Sequence, residues 1–190
     1  GNLATNSFWF VVDTTAPVKT VVSPTPGSYL TVSAVWINET LTDATSGINA
    51  SSIVMTLNGT AVSPTFDPAT GKLSYYAVLA DYNWTVVVTA KDLAGNSVSN
   101  SFWFIVDTTA PVKTVVSPIP GSYLSYNNVW INETLTDATS GVNASSITMT
   151  LDGTPVAFNF NPATGALSYY ATGLSDGNHT VVVSVKDLAG

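Results

Sequence analysis

Aspartates stand at matched places along this chain. Asp13 and Asp107 lie just ahead of TTAP, Asp43 and Asp137 sit in TDATSG, and Asp92 and Asp187 open DLAG. A carboxylate at a turn accepts hydrogen bonds from the backbone N–H groups that follow it, and this reading accounts for Asp92 and Asp187. Acid–base and nucleophilic catalysis find no support. There is no cysteine, and the single histidine, His179, has Trp84 as its counterpart in the other half of the chain. A histidine without a nucleophile or a matching partner reads as a strand-start aromatic, not a catalyst. No phosphate loop or zinc spacing is present, so an enzyme is not expected. The chemistry the sequence does offer is modification. Asn-x-Ser/Thr acceptors occur at Asn38, Asn49, Asn58, Asn83, Asn132, Asn143 and Asn178, six of them as pairs at equivalent positions. N-glycosylation needs exposed acceptors, and the alternation below turns Asn38 and Asn132 outward while Asn49 and Asn143 fall in a loop.

Five lysines, no arginine and twelve carboxylates leave no basic patch to meet phosphates, which argues against nucleic acid. Only 9% of residues are charged although 45% are hydrophobic, the reverse of a disordered chain. Such a surface needs hydration from another source, and N-linked glycans would supply it. No apolar run is long enough to span a membrane, and no signal peptide is evident.

The elements that carry these residues are strands. SFWFVVDTTAPVKTVVSP at 7–24 returns as SFWFIVDTTAPVKTVVSP at 101–118, and KDLAG at 91–95 returns at 186–190. A unit of this length can bury an independent core. Val35, Ile37 and Leu41 share one face of VWINETLTD, and Ile53, Met55 and Leu57 one face of SSIVMTLNG, which ends in the hairpin pair Asn58-Gly59. LSYYA follows a PATG turn, Val86, Val88 and Ala90 alternate in WTVVVTAKD, and Phe102, Phe104 and Val106 alternate in SFWFIVD. Short strands with turns every 8–12 residues predict a Greek-key sandwich. Glu39 and Glu133 share the parity of the core, which requires a loop-end partner or an incompletely closed sheet.

Taken in order, SPTPGSYL (23–30), TDATSGI (42–48), LNG (57–59), PATG (68–71), KDLAGN (91–96) and VDTTAP (106–111) resemble the tandem bacterial Ig-like (Big-type) domains of prokaryotic cell-surface proteins, bacterial or archaeal. The resemblance covers essentially the whole chain. It implies a seven-stranded sandwich, an extracellular setting and a spacer or adhesive role. It also implies calcium, held by Asp13, Asp107, Asp43 and Asp137; this cation takes six to eight oxygens, and loop ends near a linker suit it. Capping of each aspartate's own turn is the competing reading.

The expected fold class is therefore all-β, two tandem Ig-like Greek-key β-sandwiches. Residues 14–107 form a complete domain, and 108–190 form one that lacks its last strand. Residues 1–13 are a last strand with no domain before it, and Gly1-Asn2 matches Gly95-Asn96 where the second domain breaks off. Both irregularities vanish if copies join head to tail, Phe8, Trp9, Phe10, Val11 and Val12 forming the assembly strand and Pro17 and Pro111 stiffening the joints. The chain is then a window on a longer tandem array, a subunit that donates its strand to a neighbour, or an arbitrary fragment with a frayed end. Its partners are copies of itself and N-linked glycans, its place the cell surface, and its role that of a repeat in a filament, stalk or pilus-like assembly. The outward aromatics Trp36, Trp103 and Trp130 contact a neighbour, are covered within the domain, or stack on carbohydrate in the alternative role of an adhesin module.

Overall fold

The computed structural model describes residues 1–190. Nine strands occupy residues 18–106: β1 (Val18–Ser23), β2 (Tyr29–Leu30), β3 (Ala34–Thr42), β4 (Ile48–Leu57), β5 (Thr60–Val62), β6 (Thr65–Asp67), β7 (Lys72–Val78), β8 (Tyr82–Asp92) and β9 (Ser97–Val106). Seven follow: β10 (Val112–Ser117), β11 (Val129–Thr136), β12 (Thr148–Leu151), β13 (Thr154–Pro155), β14 (Asn159–Asn161), β15 (Ala166–Ala171) and β16 (Val181–Ser184). A single 3-10 turn, Ala144–Ser146, is the only helical piece. The chain is all-β.

By spatial proximity it divides into two compact units. The first comprises Gly1–Ser28, Ser33–Leu79 and Asn83–Phe104; the second comprises Tyr29–Val32, Ala80–Tyr82 and Ile105–Gly190. Over residues 18–106 the sheets run β1-β3-β7-β6 and β2-β9-β8-β4-β5. Chain neighbours β3 and β4, and again β7 and β8, fall in different sheets, the crossing that makes an Ig-type sandwich. Val35, Ile37, Leu41 and Leu73 of one sheet and Met55, Val86, Val88, Phe102, Phe104 and Val106 of the other are all buried. Over residues 112–184 the sheets are β10-β11-β15-β14 and β13-β12-β16. Their core joins Val129, Ile131, Leu135, Leu167 and Ala171 to Ile147, Met149 and Val183.

The local reasons are those of alternation and turn chemistry. β3 reads exposed and buried by turns from Ala34 to Leu41, so Trp36 and Asn38 face out while Ile37 and Glu39 face in. Asn58 and Gly59 both adopt positive φ, 46° and 80°, as the twist of a two-residue hairpin requires, and Asp152 and Gly153 repeat this. The glycine of PATG has a second reason. A Cβ on Gly71 would stand 2.6 Å from Leu41 O, because its turn lies directly against β3, and φ there is +71°.

Candidate functional site

Three features of the fold bear chemistry or recognition. The first is a strand edge. β16 ends its sheet, with β12 on one side only, whereas β8 lies between β4 and β9. Residues 1–17 join no sheet, and Phe8, Trp9, Phe10 and Val12 are 83, 85, 75 and 72% exposed, with Val11 exposed beside them. Their near-identical counterparts Phe102, Phe104 and Val106 are buried in β9, Phe104 and Val106 completely.

The second feature is a pair of carboxylate triads. Asp13, Asp43 and Asp92 bring one oxygen each to within 4.8 Å of one another, and Asp107, Asp137 and Asp187 do the same. Turn geometry positions them. Asp43 Oδ1 accepts from Ser46 N and Gly47 N, both at 2.8 Å, and Asp137 Oδ1 accepts from Thr139 N and Gly141 N. Ser46 N also donates to Asp13 Oδ2 and Ser140 N to Asp107 Oδ2, tying each triad together. Hydrogen bonds from Ser46, then from Thr15 N–H, hold the Asp13 carboxyl below its usual range. Asp92, Asp107 and Asp187 are buried, and Ser140 Oγ is buried without a hydrogen-bond partner. Three oxygens so close, with one buried carboxylate in the first triad and two in the second, suit a hard divalent cation that supplies positive charge.

Asp92 and Asp187 do cap their turns, Asp92 accepting from Asn96 N and Nδ2 at 2.8 and 2.7 Å and Asp187 from Gly190 N at 2.6 Å. The turn-only reading of them is nevertheless incomplete, since both also complete a triad. The available signal was parity: Asp92 continues the buried series Val86, Val88, Ala90.

The third feature is aromatic. Trp36 on β3 and Tyr76 on β7 are directly paired across the sheet, ring centroids 5.1 Å apart, and Trp130 and Tyr170 repeat this at 4.8 Å. All four rings are about half exposed. Trp103 is 43% exposed and lies against Gly27, whose N–H donates to Trp103 O.

The glycan acceptors occupy different settings. Asn38 and Asn132 lie mid-strand, half-buried, each donating from Nδ2 to a serine hydroxyl at 2.9 Å, Ser23 and Ser117 respectively. Asn49 lies within β4, not in a loop as expected from the sequence, and its Oδ1 accepts from Ser51; Asn143 caps the 3-10 turn in the same manner. Asn58 is in the hairpin, and Asn83 and Asn178 are exposed.

Glu39 finds its partner inside the sandwich. Lys19 Nζ on β1 lies 3.0 Å from Glu39 Oε2, both side chains shielded from water, and burial pushes the glutamate's pKa up against the opposing pull of the lysine. His179 pairs with Asp152 at 2.7 Å and with Ser175 O at 2.8 Å, the Asp152 bond chiefly raising its pKa. The Ser175 contact is through its backbone carbonyl, not its hydroxyl.

No family model matches the chain, and no curated protein matches it. Among solved structures it is similar to fibronectin(III)-like modules of Clostridium thermocellum CbhA, at 18% identity over 90% of this chain and 88% of that one, TM-score 0.42. It is also similar to a tetra-tandem repeat in the extending region of a large adhesion protein (27%, 94% and 47%, TM-score 0.46). Immunoglobulin domains 1–4 of Sidekick-1 resemble it at 11% identity (90% and 48%, TM-score 0.46). The chain spans about half the length of the latter two. No helix is long and apolar enough to cross a membrane.

Proposed function

We propose that this chain is a structural repeat of an extracellular surface filament, stalk or pilus-like assembly, joined head to tail through a strand like residues 7–13. The carrying observation is the unpaired edge of β16 in the presence of an exposed, near-identical copy of β9 at residues 7–12. An incoming strand would satisfy the open backbone edge by β-addition and bury Phe8, Phe10 and Val12. Burying three such side chains is worth on the order of 5–9 kcal/mol before ordering costs. The strand comes from a second copy or from the continuation of the same polypeptide, and both give the same contact. N-linked glycans would hydrate the charge-poor surface, at the cell exterior.

Two constructions test this. Removing residues 1–13 abolishes head-to-tail association in analytical ultracentrifugation, and appending the same thirteen residues after Gly190 yields a closed monomer. Association that survives the deletion sinks the reading. The intact mass of native material separates subunits from a covalent array.

The triads fit calcium as a brace. Asp107, Asp137 and Asp187 would supply carboxylate oxygens, with the buried Ser140 hydroxyl beside them, and Asp13, Asp43 and Asp92 likewise. Calcium then raises Tm in a chelator-reversible way, and the effect is halved by Asp137→Asn; indifference to calcium rejects the brace.

An adhesin module is the second reading, favoured by the paired rings at Trp36–Tyr76 and Trp130–Tyr170. It requires an isolated chain to bind an external glycan and to lose that binding in Trp36→Ala/Trp130→Ala.

A further inference from the structure

We infer that Asn38 and Asn132 are the structurally seated glycosylation sites of this protein, each placing its first sugar on the aromatic pair beside it. The inference rests on the glycan part of the reading above and goes further, to which acceptors and why.

Seven acceptors exist, but an aromatic ring stands two residues before the asparagine in only two of them, Trp36-Ile37-Asn38 and Trp130-Ile131-Asn132. At Asn49, Asn58, Asn83, Asn143 and Asn178 that position is Gly, Thr, Asp, Gly and Asp. In a strand, residues two apart lie on the same face, so Trp36, Asn38 and the acceptor threonine Thr40 line up on the outward side of β3. The neighbouring strands complete the seat. Asn38 is flanked by Ser23 on β1 and Ser74 on β7, while one row along Trp36 is flanked by Tyr76. The second unit repeats every residue of this row: Ser117, Asn132 and Ser168, then Trp130 and Tyr170. Small hydroxyls flank the half-buried asparagine, whose Oδ1 on β3 is shielded from water and whose Nδ2 is held by Ser23, and two half-exposed rings offer an apolar shelf next to it. A pyranose has one face of C–H groups, and the electron-rich face of an indole or phenol attracts them. The two ring pairs repeat at the same place in both units, and the fold leaves all four rings about half exposed.

The covalent step takes place at the amide nitrogen. A bond forms between Nδ2 and C1 of the sugar, the C1–O bond to the phosphate of a lipid-linked sugar donor breaks with the electron pair leaving on oxygen, and one amide proton is lost to the transferase. The remaining N–H keeps the 2.9 Å bond to Ser23 or Ser117, which holds the amide, and so the sugar, in one orientation.

The experiment uses protein purified from its own cells. Glycopeptide mass spectrometry maps all seven acceptors, and hydroxyl-radical footprinting follows Trp36, Trp103 and Trp130 before and after deglycosylation of the folded protein. Occupied Asn38 and Asn132 are expected, with oxidation of Trp36 and Trp130 rising several-fold on sugar removal. Trp103, whose strand carries no acceptor, should not change. Empty sites at Asn38 and Asn132 overturn the proposal, whatever the assembly assay shows. So do occupied sites whose tryptophans oxidise equally with and without sugar. Protection that appears only on adding a free oligosaccharide also overturns it and assigns the rings to an external ligand. Asn38→Gln/Asn132→Gln should unmask both rings without changing association through residues 1–13, which keeps this result separate from the filament reading.

Discussion

The sequence VKTVVS occurs twice, as β1 and as β10, and the two copies differ in burial. In β1 the inward residues Lys19, Val21 and Ser23 are half-buried; in β10 the matching Lys113 and Val115 are exposed, Val115 by 45%. The contrast extends around the same side of the second sandwich. Tyr29 and Leu30 form β2, parallel to Ile105 and Val106, whereas Tyr123 and Leu124 form no strand and Tyr123 is fully exposed. β8 runs for 11 residues, but β16 for only 4. Val86 and Ala90 are sealed at 0 and 1%, while Val181 and Val185 remain half-buried. Lys19 Nζ reaches Asn100 O on β9; Lys113 Nζ turns instead to Val183 O on β16. These differences accompany one change in topology: β9 is present in the five-stranded sheet and has no counterpart in the three-stranded one. In the first sandwich the strand that joins β8 and β2 thus covers residues well beyond its own register, and on the same side of the second β16 has no such cover.

Four changes probe that contrast, beginning with the largest expected effect. Phe104→Ala should cost about 3–5 kcal/mol in denaturant unfolding of the first sandwich. Phe10→Ala should leave the isolated chain's stability unchanged and weaken only association; equal losses in the two variants would erase the distinction. Next, Gly71→Ala and Gly165→Ala should each destabilise by more than about 1 kcal/mol, because both glycines combine positive φ with close approach of a backbone carbonyl. This is a feature the two units share, so unequal costs would show the second sandwich to be looser throughout and not only at its open side.

The buried glutamates come third. Burial raises the pKa of Glu39, and also of Glu133, above 4.5 in the folded chain. The folded state therefore holds the proton more tightly than the unfolded one, and this contribution to stability is lost as pH rises from 4.5 through the folded pKa. Glu39→Gln should flatten that part of the pH–stability curve for the first sandwich, and Glu133→Gln should do so less, since Glu133 is 8% exposed against 1% for Glu39. Smallest is His179, whose pKa is raised from 6.5 chiefly by Asp152. Its stabilisation is present below pH 6.5 and disappears as pH climbs through the folded value. Proton NMR of this lone histidine should give a midpoint above 6.5, moved down in Asp152→Asn.

Much of each sheet was legible beforehand. The faces of β3, β4, β8 and β9 follow from alternation, and Asn58-Gly59 marks its hairpin, because both depend on residues adjacent in the chain. Three things were not. Asn49 reads as a loop residue but extends β4, whose register shifts between Asn49 and Val54, an irregularity set by pairing with β8. Glu39 sits at a core position without revealing that Lys19 of β1 faces it. Asp92 and Asp187 read as turn caps, which they are, yet their meeting with two other aspartates depends on turns far away in sequence.

By itself the sequence determined the all-β class, the repeat, the inward and outward faces and the near-copy of the β9 sequence at residues 7–12, since periodicity, turn residues and internal identity are properties of the chain alone. Only the tertiary structure decided which carboxylates meet, that Trp36 pairs with Tyr76 beside Asn38, and how far the effects of one unpaired edge spread. Those depend on register between strands, which is settled by packing two sheets over a common core and leaves no local mark in the order of residues.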